Sequence, residues 1–428
     1  MLFTRRGRFF VWIAALGFAC LLSACNEPVE DFPVAEEPLD YYKPLPPGER
    51  ALVKLTDPSQ FPDFRPAFQR RAGLEEAALY SLEYMSKPSS QQFFPYGDIT
   101  HARAVASIET FIEVFRSAQT PDELDAAIKD RFDIYQSRGC DERGTVLFTG
   151  YYRPIFDARM QPDTAFKYPL YKRPDDLELN PATNEYQQKG GGPYLTRGEI
   201  ESGALAGRGL ELCYLRDRFE AYIVTVQGSG RLRMGDGSLF DIGYHGNNGH
   251  EYTSIGQQLV DQNLISPSDL SLQGLIKFFR QHPEQLERVL PTNKRYVFFT
   301  PRAGGPFGSL NVPVTPFRSI ATDKDVYPRA CVAFLNTRVP ARSSDGSIRD
   351  HSYAGFAMDQ DTGGAIRAAG RCDFFLGTGP EVGELAGRTF SEGQLYYVFV
   401  KQGSDGGSAM LDAPATDSEF VADAQPIE

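Results

Sequence analysis

A chain of 428 residues exceeds the usual reach of one hydrophobic core, so two domains are expected. Its formal charge of −12, with no basic patch able to neutralise a phosphate backbone, excludes nucleic acid as a partner. Phenylalanine and tyrosine are plentiful beside a single tryptophan, enough to line a sugar-binding groove as well as a core.

Residues 1–24 read as a signal peptide. Arg5, Arg6 and Arg8 open it, and an apolar run from Phe9 to Leu22 follows, too short for the roughly 20 residues of a membrane-spanning helix. Leu22-Ser23-Ala24-Cys25 resembles a bacterial lipobox, which makes Cys25 the acylated first residue of the mature chain; Asn26 behind it favours the outer membrane. Residues 25–48 carry acids and six prolines without apolar periodicity and read as an extended tether, with folded structure starting near Leu52. Cys140, Cys213, Cys331 and Cys372 permit two disulfides in an oxidising compartment, in any of three pairings.

From Leu52 to Gln136 the pattern is helical. One helix is expected over Leu74 to Met85 and another over His101 to Ser117, where Ile108, Phe111, Ile112 and Phe115 share a face. Thr120-Pro121-Asp122-Glu123 combines an N-cap, a first-turn proline and a capping-box glutamate, so a third helix starts there. Strand signals begin at Gly144, with Thr145 to Phe148 running into Thr149-Gly150-Tyr151-Tyr152-Arg153-Pro154. Residues 174–200 are polar and read as a mobile loop around Gly190 to Pro193. Tyr222 to Gln227 alternates as a strand would, and Arg231 to Met234 and Ser238 to Ile242 flank a Gly235-Asp236-Gly237 turn. Ser266-Pro267-Ser268-Asp269 repeats the cap-and-proline device ahead of a second helical run. Strands resume at Tyr296 and end with Leu395 to Val400, and the Gly-, Ser-, Asp- and Ala-rich remainder reads as disordered.

The chemistry concentrates in Phe356 to Gly379, FAMDQDTGGAIRAAGRCDFFLGTG. It holds Asp359, Asp361 and Asp373 among small and apolar residues, with glycines that let backbone approach a ligand. Asp373, between Cys372 and Phe374-Phe375, has an apolar shell of the kind that raises a carboxyl pKa and keeps a general acid protonated near neutrality. The plainer reading makes these aspartates turn residues at strand ends. Asp361-Thr362-Gly363 has the aspartic-protease triplet, but that chemistry needs two such aspartates and the chain has one copy. His245 and His250 lack the HExxH spacing, so no metal or other cofactor is expected. Gly228-Ser229-Gly230 is neither a nucleophile elbow nor a phosphate loop.

FTGYY, VQGSGRLRMGDG, GYHGNNGHEYTSIG, VPVTPFRSIATD, QDTGGAIRAAGRCDFFLGTG and GELAGR occur in this order between Phe148 and Val400. In combination they closely resemble the membrane-bound lytic murein transglycosylase A family, including its closing three-aspartate (3D) domain. The resemblance implies an α+β, mainly β fold: a split double-psi β-barrel over 49–154 and 309–404, a smaller β domain inserted over 155–308, helices from the N-terminal part, and a tail over 405–428. It implies cleavage of peptidoglycan between N-acetylmuramic acid and N-acetylglucosamine with a 1,6-anhydro product. Asp373 matches the family's catalytic acid/base, Asp361 the DxGGAI aspartate and Asp323 the first of the three. Thr149, Gly150, Tyr151, Tyr152, Gln227, Gly228, Ser229, Gly230, Tyr244, Asn248, Gly249, Ser254, Gln360 and Gly363 match substrate-facing segments. Partners implied are glycan strands, the membrane through acylated Cys25, and proteins of cell-wall synthesis or division. Two rivals stand beside this: a plain glycoside hydrolase using Asp361 as second carboxylate, and a non-catalytic peptidoglycan-binding lipoprotein.

Overall fold

The computed structural model describes residues 39–402, apart from 182, 184, 267–269, 271, 364 and 365. The signal peptide, Cys25, the first part of the tether, the tail and most of the Ser266–Asp269 cap lie outside the described residues.

The first two N-terminal helices, Leu74–Met85 and His101–Ser117, have the expected bounds, and the third, Pro121–Arg131, starts where its cap places it. Thr120 accepts the Glu123 amide, and the Glu123 carboxylate accepts the Gln119 amide, one residue earlier than an ideal capping box. The apolar face of the second helix is buried, and Phe111 packs 4.9 Å from Phe356 on a strand below. Each such aromatic, fully buried, contributes about 1.5–3 kcal/mol. Helical structure ends earlier than expected. Phe132–Ser137 is a strand, antiparallel to Phe390–Val400, because its Phe, Ile and Tyr fill a sheet position. The tether reading also needs correction. Tyr41 donates a hydrogen bond to Glu392, and the Arg371 guanidinium stacks on Tyr42 at 4.8 Å and bonds its hydroxyl, so the chain is docked well before Leu52.

Six strands close into a barrel: Val146–Arg153, Ser319–Ala321, Val332–Arg342, Ile348–Asp361, Arg371–Thr378 and Phe390–Val400. Around the ring, Phe390–Val400 pairs with Val332–Arg342, which pairs with Ile348–Asp361. Ser319–Ala321 and Arg371–Thr378 follow, and Val146–Arg153 returns to Phe390–Val400. Two of these pairings are parallel, 319–321 with 348–361 and 371–378 with 146–153; the others are antiparallel. Phe148, Ile320, Phe334, Phe356, Phe374 and Phe399 are buried in the core this barrel shares with the helices. This is the double-psi barrel.

A second sheet has its own core. Its strands run Val297–Pro301, Leu239–Asn247, Gly230–Arg233, Ile155–Arg159, Glu211–Leu215, Tyr168–Tyr171 in spatial order. The Gly235–Gly237 turn joins Gly230–Arg233 to Leu239–Asn247, with Arg233 opposite Leu239. Tyr222–Gln227, read as a strand, belongs to the helix Arg218–Gln227. Asp217 caps it by accepting the Phe219 and Glu220 amides, and Gly228 ends it at φ +71°. Residues 174–200 are not all loop: Leu177–Asn180 and Glu185–Gln188 form a hairpin, and Thr196 and Glu199 make a capping box for Arg197–Glu199. Cys140, Cys213, Cys331 and Cys372 are all free and buried, so the permitted disulfides do not form. Cys213 sits in the second core, and Cys331 and Cys372 in the barrel core.

Candidate active site

Ala321 organises the site. On one side it pairs with Asp361 and on the other with Asp373, so the strand Ser319–Ala321 separates two carboxylates by two strand steps. At about 4.8 Å a step, their Cα atoms lie roughly 10 Å apart. Both carboxylates, and the methyl of Ala321 between them, line one cleft of about 1370 Å³. That volume exceeds the roughly 300–1,000 Å³ of sites for drug-sized ligands and suits an oligomer.

Asp373 is placed by register. Its parallel partner is Thr149, whose hydroxyl donates to Asp373 Oδ1 at 2.8 Å and accepts from Arg371 Nη2 at 3.0 Å. Burial pushes the Asp373 carboxyl up to about 6; Arg371 and the Thr149 hydrogen bond hold it back, and the Asp361 charge adds the smallest push. Such a group carries its proton in mildly acidic medium and can release and recover it within one cycle.

Asp361 differs. Its Oδ1 accepts the Ser309 amide at 2.7 Å and the Thr362 amide at 2.8 Å, and Oδ2 accepts the Tyr151 hydroxyl at 2.9 Å. Burial raises its pKa against these donors. The Ser309 contact depends on Gly308, where a Cβ would meet the Gln360 carbonyl oxygen at 2.6 Å. The remaining aspartates are structural. Asp323 accepts the Ala368 amide at 2.7 Å, and Asp359 is buried against Lys324, Thr322 and Tyr397.

Tyr151, Tyr152, Gln227, Gly228, Ser229, Tyr244 and Gly363 line the cleft. Thr149 reaches it through Asp373. Six other candidates do not line it. Gly150 faces the helix Pro380–Arg388, where a Cβ would meet Thr389 at 2.8 Å, and Gly230 packs on Val224. Asn248 is wholly buried, bridging the Leu195 and Lys294 carbonyls and the Tyr296 amide. Gly249 abuts the Tyr186 carbonyl, and Ser254 caps the helix Ile255–Asp261. Gln360 points away from the cleft, donating to Ala77 and Ser81 and accepting from Ser319.

Sequence reasoning missed Tyr186, Arg153, Arg302, Phe307 and Ser309, which also line the cleft. Tyr186 comes from the hairpin inside the supposed loop and packs edge-on to Tyr244 at 6.5 Å. Arg302 stacks on Phe307 at 3.4 Å. Only Arg153 left a signal: with Thr149 and Tyr151 it occupies alternate positions of one strand, which share a face.

A closed double-psi barrel bearing two aspartates at a long cleft, beside a second β sheet, defines a 3D-domain barrel enzyme with an inserted β domain. Comparison with known proteins agrees. Residues 147–300 match the family described as "MltA specific insert domain", and residues 318–399 match the "3D domain". Membrane-bound lytic murein transglycosylase A of Vibrio cholerae is 33% identical over 277 residues, covering 64% of this chain and 71% of that protein. A solved membrane-bound lytic murein transglycosylase from Agrobacterium tumefaciens superposes with TM-score 0.67 at 25% identity, covering 82% of this chain and 98% of the other. Escherichia coli MltA with bound chitohexaose does so with TM-score 0.60 at 26% identity, covering 85% and 96%. The chain belongs to the membrane-bound lytic murein transglycosylase A family.

Proposed function

We propose that this enzyme cleaves the β-1,4 bond between N-acetylmuramic acid and N-acetylglucosamine in peptidoglycan, with Asp373 as its single acid/base. Protonated Asp373 gives its proton to the glycosidic oxygen as the C1–O bond breaks. The resulting carboxylate takes the proton of the muramic C6 hydroxyl as that oxygen bonds C1. The product is a 1,6-anhydro sugar, no water is consumed, and Asp373 ends protonated.

The observation carrying this reading is the inequality of the two carboxylates. Asp373 has a pKa near 6 and one hydroxyl donor, whereas Asp361 is committed to two amides and a tyrosine. A hydrolase asks the second carboxylate to activate water or attack C1, and a group already accepting three hydrogen bonds is poorly suited to either. Asp361 instead positions Tyr151 and the Ser309 loop. Tyr151, Tyr152, Tyr244 and the segment Gln227 to Ser229 grip the sugar rings, and this rigid hold brings the C6 hydroxyl to C1. The chitohexaose held by the Escherichia coli neighbour is a hexosamine oligomer of this kind. The insert over 155–308 supplies the far wall. Acylation of Cys25 anchors the protein at the periplasmic face of the outer membrane, within reach of cell-wall synthesis or division proteins.

Turbidity clearing of purified murein sacculi tests the reading. The wild type clears them, and Asp373→Asn binds sacculi without clearing. Clearing by the variant removes Asp373 from its role, and binding without clearing by both proteins favours a binding lipoprotein.

A further inference from the structure

We propose that Arg153 forms a carboxylate-binding subsite in the cleft, taking an anionic group of the glycan strand on the Nε/Nη2 edge of its guanidinium. This rests on the peptidoglycan reading above and deepens it. The side chain is 4% exposed and lines the cleft. Its Nη1 lies 3.2 Å from Asp241, but Nε and Nη2 are buried atoms with no hydrogen-bond partner among the described residues. Asp241 is already held by a two-point pair with Arg231, at 2.8 and 2.7 Å. Two guanidinium groups thus share one carboxylate, and a buried positive charge is left over.

A buried cation in this state is costly unless a ligand completes its pairing. Burial accordingly pulls the Arg153 pKa down to about 10. The unpaired edge has a definite shape: Nε–H and one Nη2–H point the same way and match the two oxygens of a carboxylate. Arg231 uses the same two atoms on Asp241. Although the chain is acidic overall, Arg197, Arg295, Arg302 and Arg367 line the same cleft beside Arg153, against the acids Glu251, Asp361 and Asp373, so basic groups outnumber acidic ones on its walls. Thr149, the register partner of Asp373, and Arg153, the partner of Thr378, are four residues apart on one strand, so the Arg153 Cα lies roughly 13 Å along the strand from the level of the acid. It therefore acts on binding and not on bond breaking. The carboxylate belongs either to the lactyl group of a bare muramic acid or to a peptide stem.

The test uses the full-length protein carrying Asp373→Asn, to prevent turnover, and measures Kd for three probes. These are chitohexaose, which has no carboxylate, glycan strands stripped of peptides, and peptide-bearing strands of similar length. Both muramic probes, or the peptide-bearing one alone, bind about tenfold or more tighter than chitohexaose, and adding Arg153→Gln abolishes that preference. A preference already present with stripped strands assigns the lactyl group; one present only with peptides assigns the stem. Arg153→Lys, which keeps charge without the fork, retains part of the preference and decides the matter if Arg153→Gln does not fold. A preference untouched by either substitution, or an equal loss for chitohexaose, overturns the proposal. Failure of the peptidoglycan reading shows separately, as a protein with Asp373 intact that leaves sacculi uncleaved.

Discussion

Thr149 and Asp373 are register partners on neighbouring parallel strands, and the threonine hydroxyl donates to the carboxylate at 2.8 Å. That hydroxyl in turn accepts from Arg371, whose guanidinium carries Tyr42 of the N-terminal segment on its face. Asp373 is tuned by this chain of contacts: burial raises its pKa, and Arg371 and Thr149 keep the rise moderate.

Thr149→Val removes a hydrogen bond that favours the anion, so the Asp373 pKa rises above about 6. Activity that needs a protonated acid then persists to higher pH. The alkaline limb of kcat/KM moves up, while the rate at pH 5 falls about tenfold because the carboxyl is no longer oriented. A pH–rate profile with an unmoved limb contradicts this tuning.

Asp373→Asn stabilises the fold in a pH-dependent way. The folded pKa of about 6 exceeds the ordinary 3.8, so below pH 4 both states hold the proton and wild type carries no penalty. As pH rises from 4 to 6 the unfolded chain ionises first and wild-type stability falls, reaching a deficit of about 3 kcal/mol above pH 6 at roughly 1.36 kcal/mol per unit. The variant, which cannot ionise, is more stable at pH 7.5 and not at pH 4. Urea denaturation at the two pH values measures the difference, and an equal difference at both refutes it.

Ala321→Leu places a branched side chain between the two aspartates. Overpacking costs about 1–3 kcal/mol, within the reserve of a chain this size. Cleavage falls by about a hundredfold or more because the cleft floor is filled. Thermal melts beside initial rates separate the two effects, and a folded variant with near-normal rates excludes Ala321 from the substrate path.

Lys324→Met strands the buried Asp359 charge, since Lys324 is its one cationic partner among the described residues. Loss of one partner of a buried pair costs about 3–5 kcal/mol. Adding Asp359→Leu recovers part of that loss by removing the orphaned charge. A single variant as stable as wild type contradicts a stabilising role for this pair.

The N-terminal helices were legible from local signals, a one-sided apolar stripe in His101–Ser117 and a capping threonine with a first-turn proline in Pro121–Arg131, although Leu74–Met85 has no side-chain cap at its N-terminus. The helix Arg218–Gln227 was not, because Phe219 and Ala221 to Thr225 are buried almost all round and leave no polar stripe to set the period. Its caps, Asp217 and Gly228, were present in the sequence and carried the correct answer. Within the site, Asp361 and Asp373 could be singled out from local composition. Ala321, Ser309 and Tyr186 could not: the first matters through register on both sides, the second through a loop held close by Gly308, the third through a hairpin whose polar face resembles a loop. Asn248 and Gln360 show the converse, since a buried amide serving polar groups inside the fold has the same sequence signature as one reaching for sugar.

Mass spectrometry of the fragments released from purified sacculi, by wild type and by Asp373→Ala, tests the single-acid account most directly. The account predicts products lighter by one water than their reducing-end counterparts, released by wild type and absent with the variant. Reducing ends in the wild-type digest contradict it and make Asp361 the water-activating carboxylate.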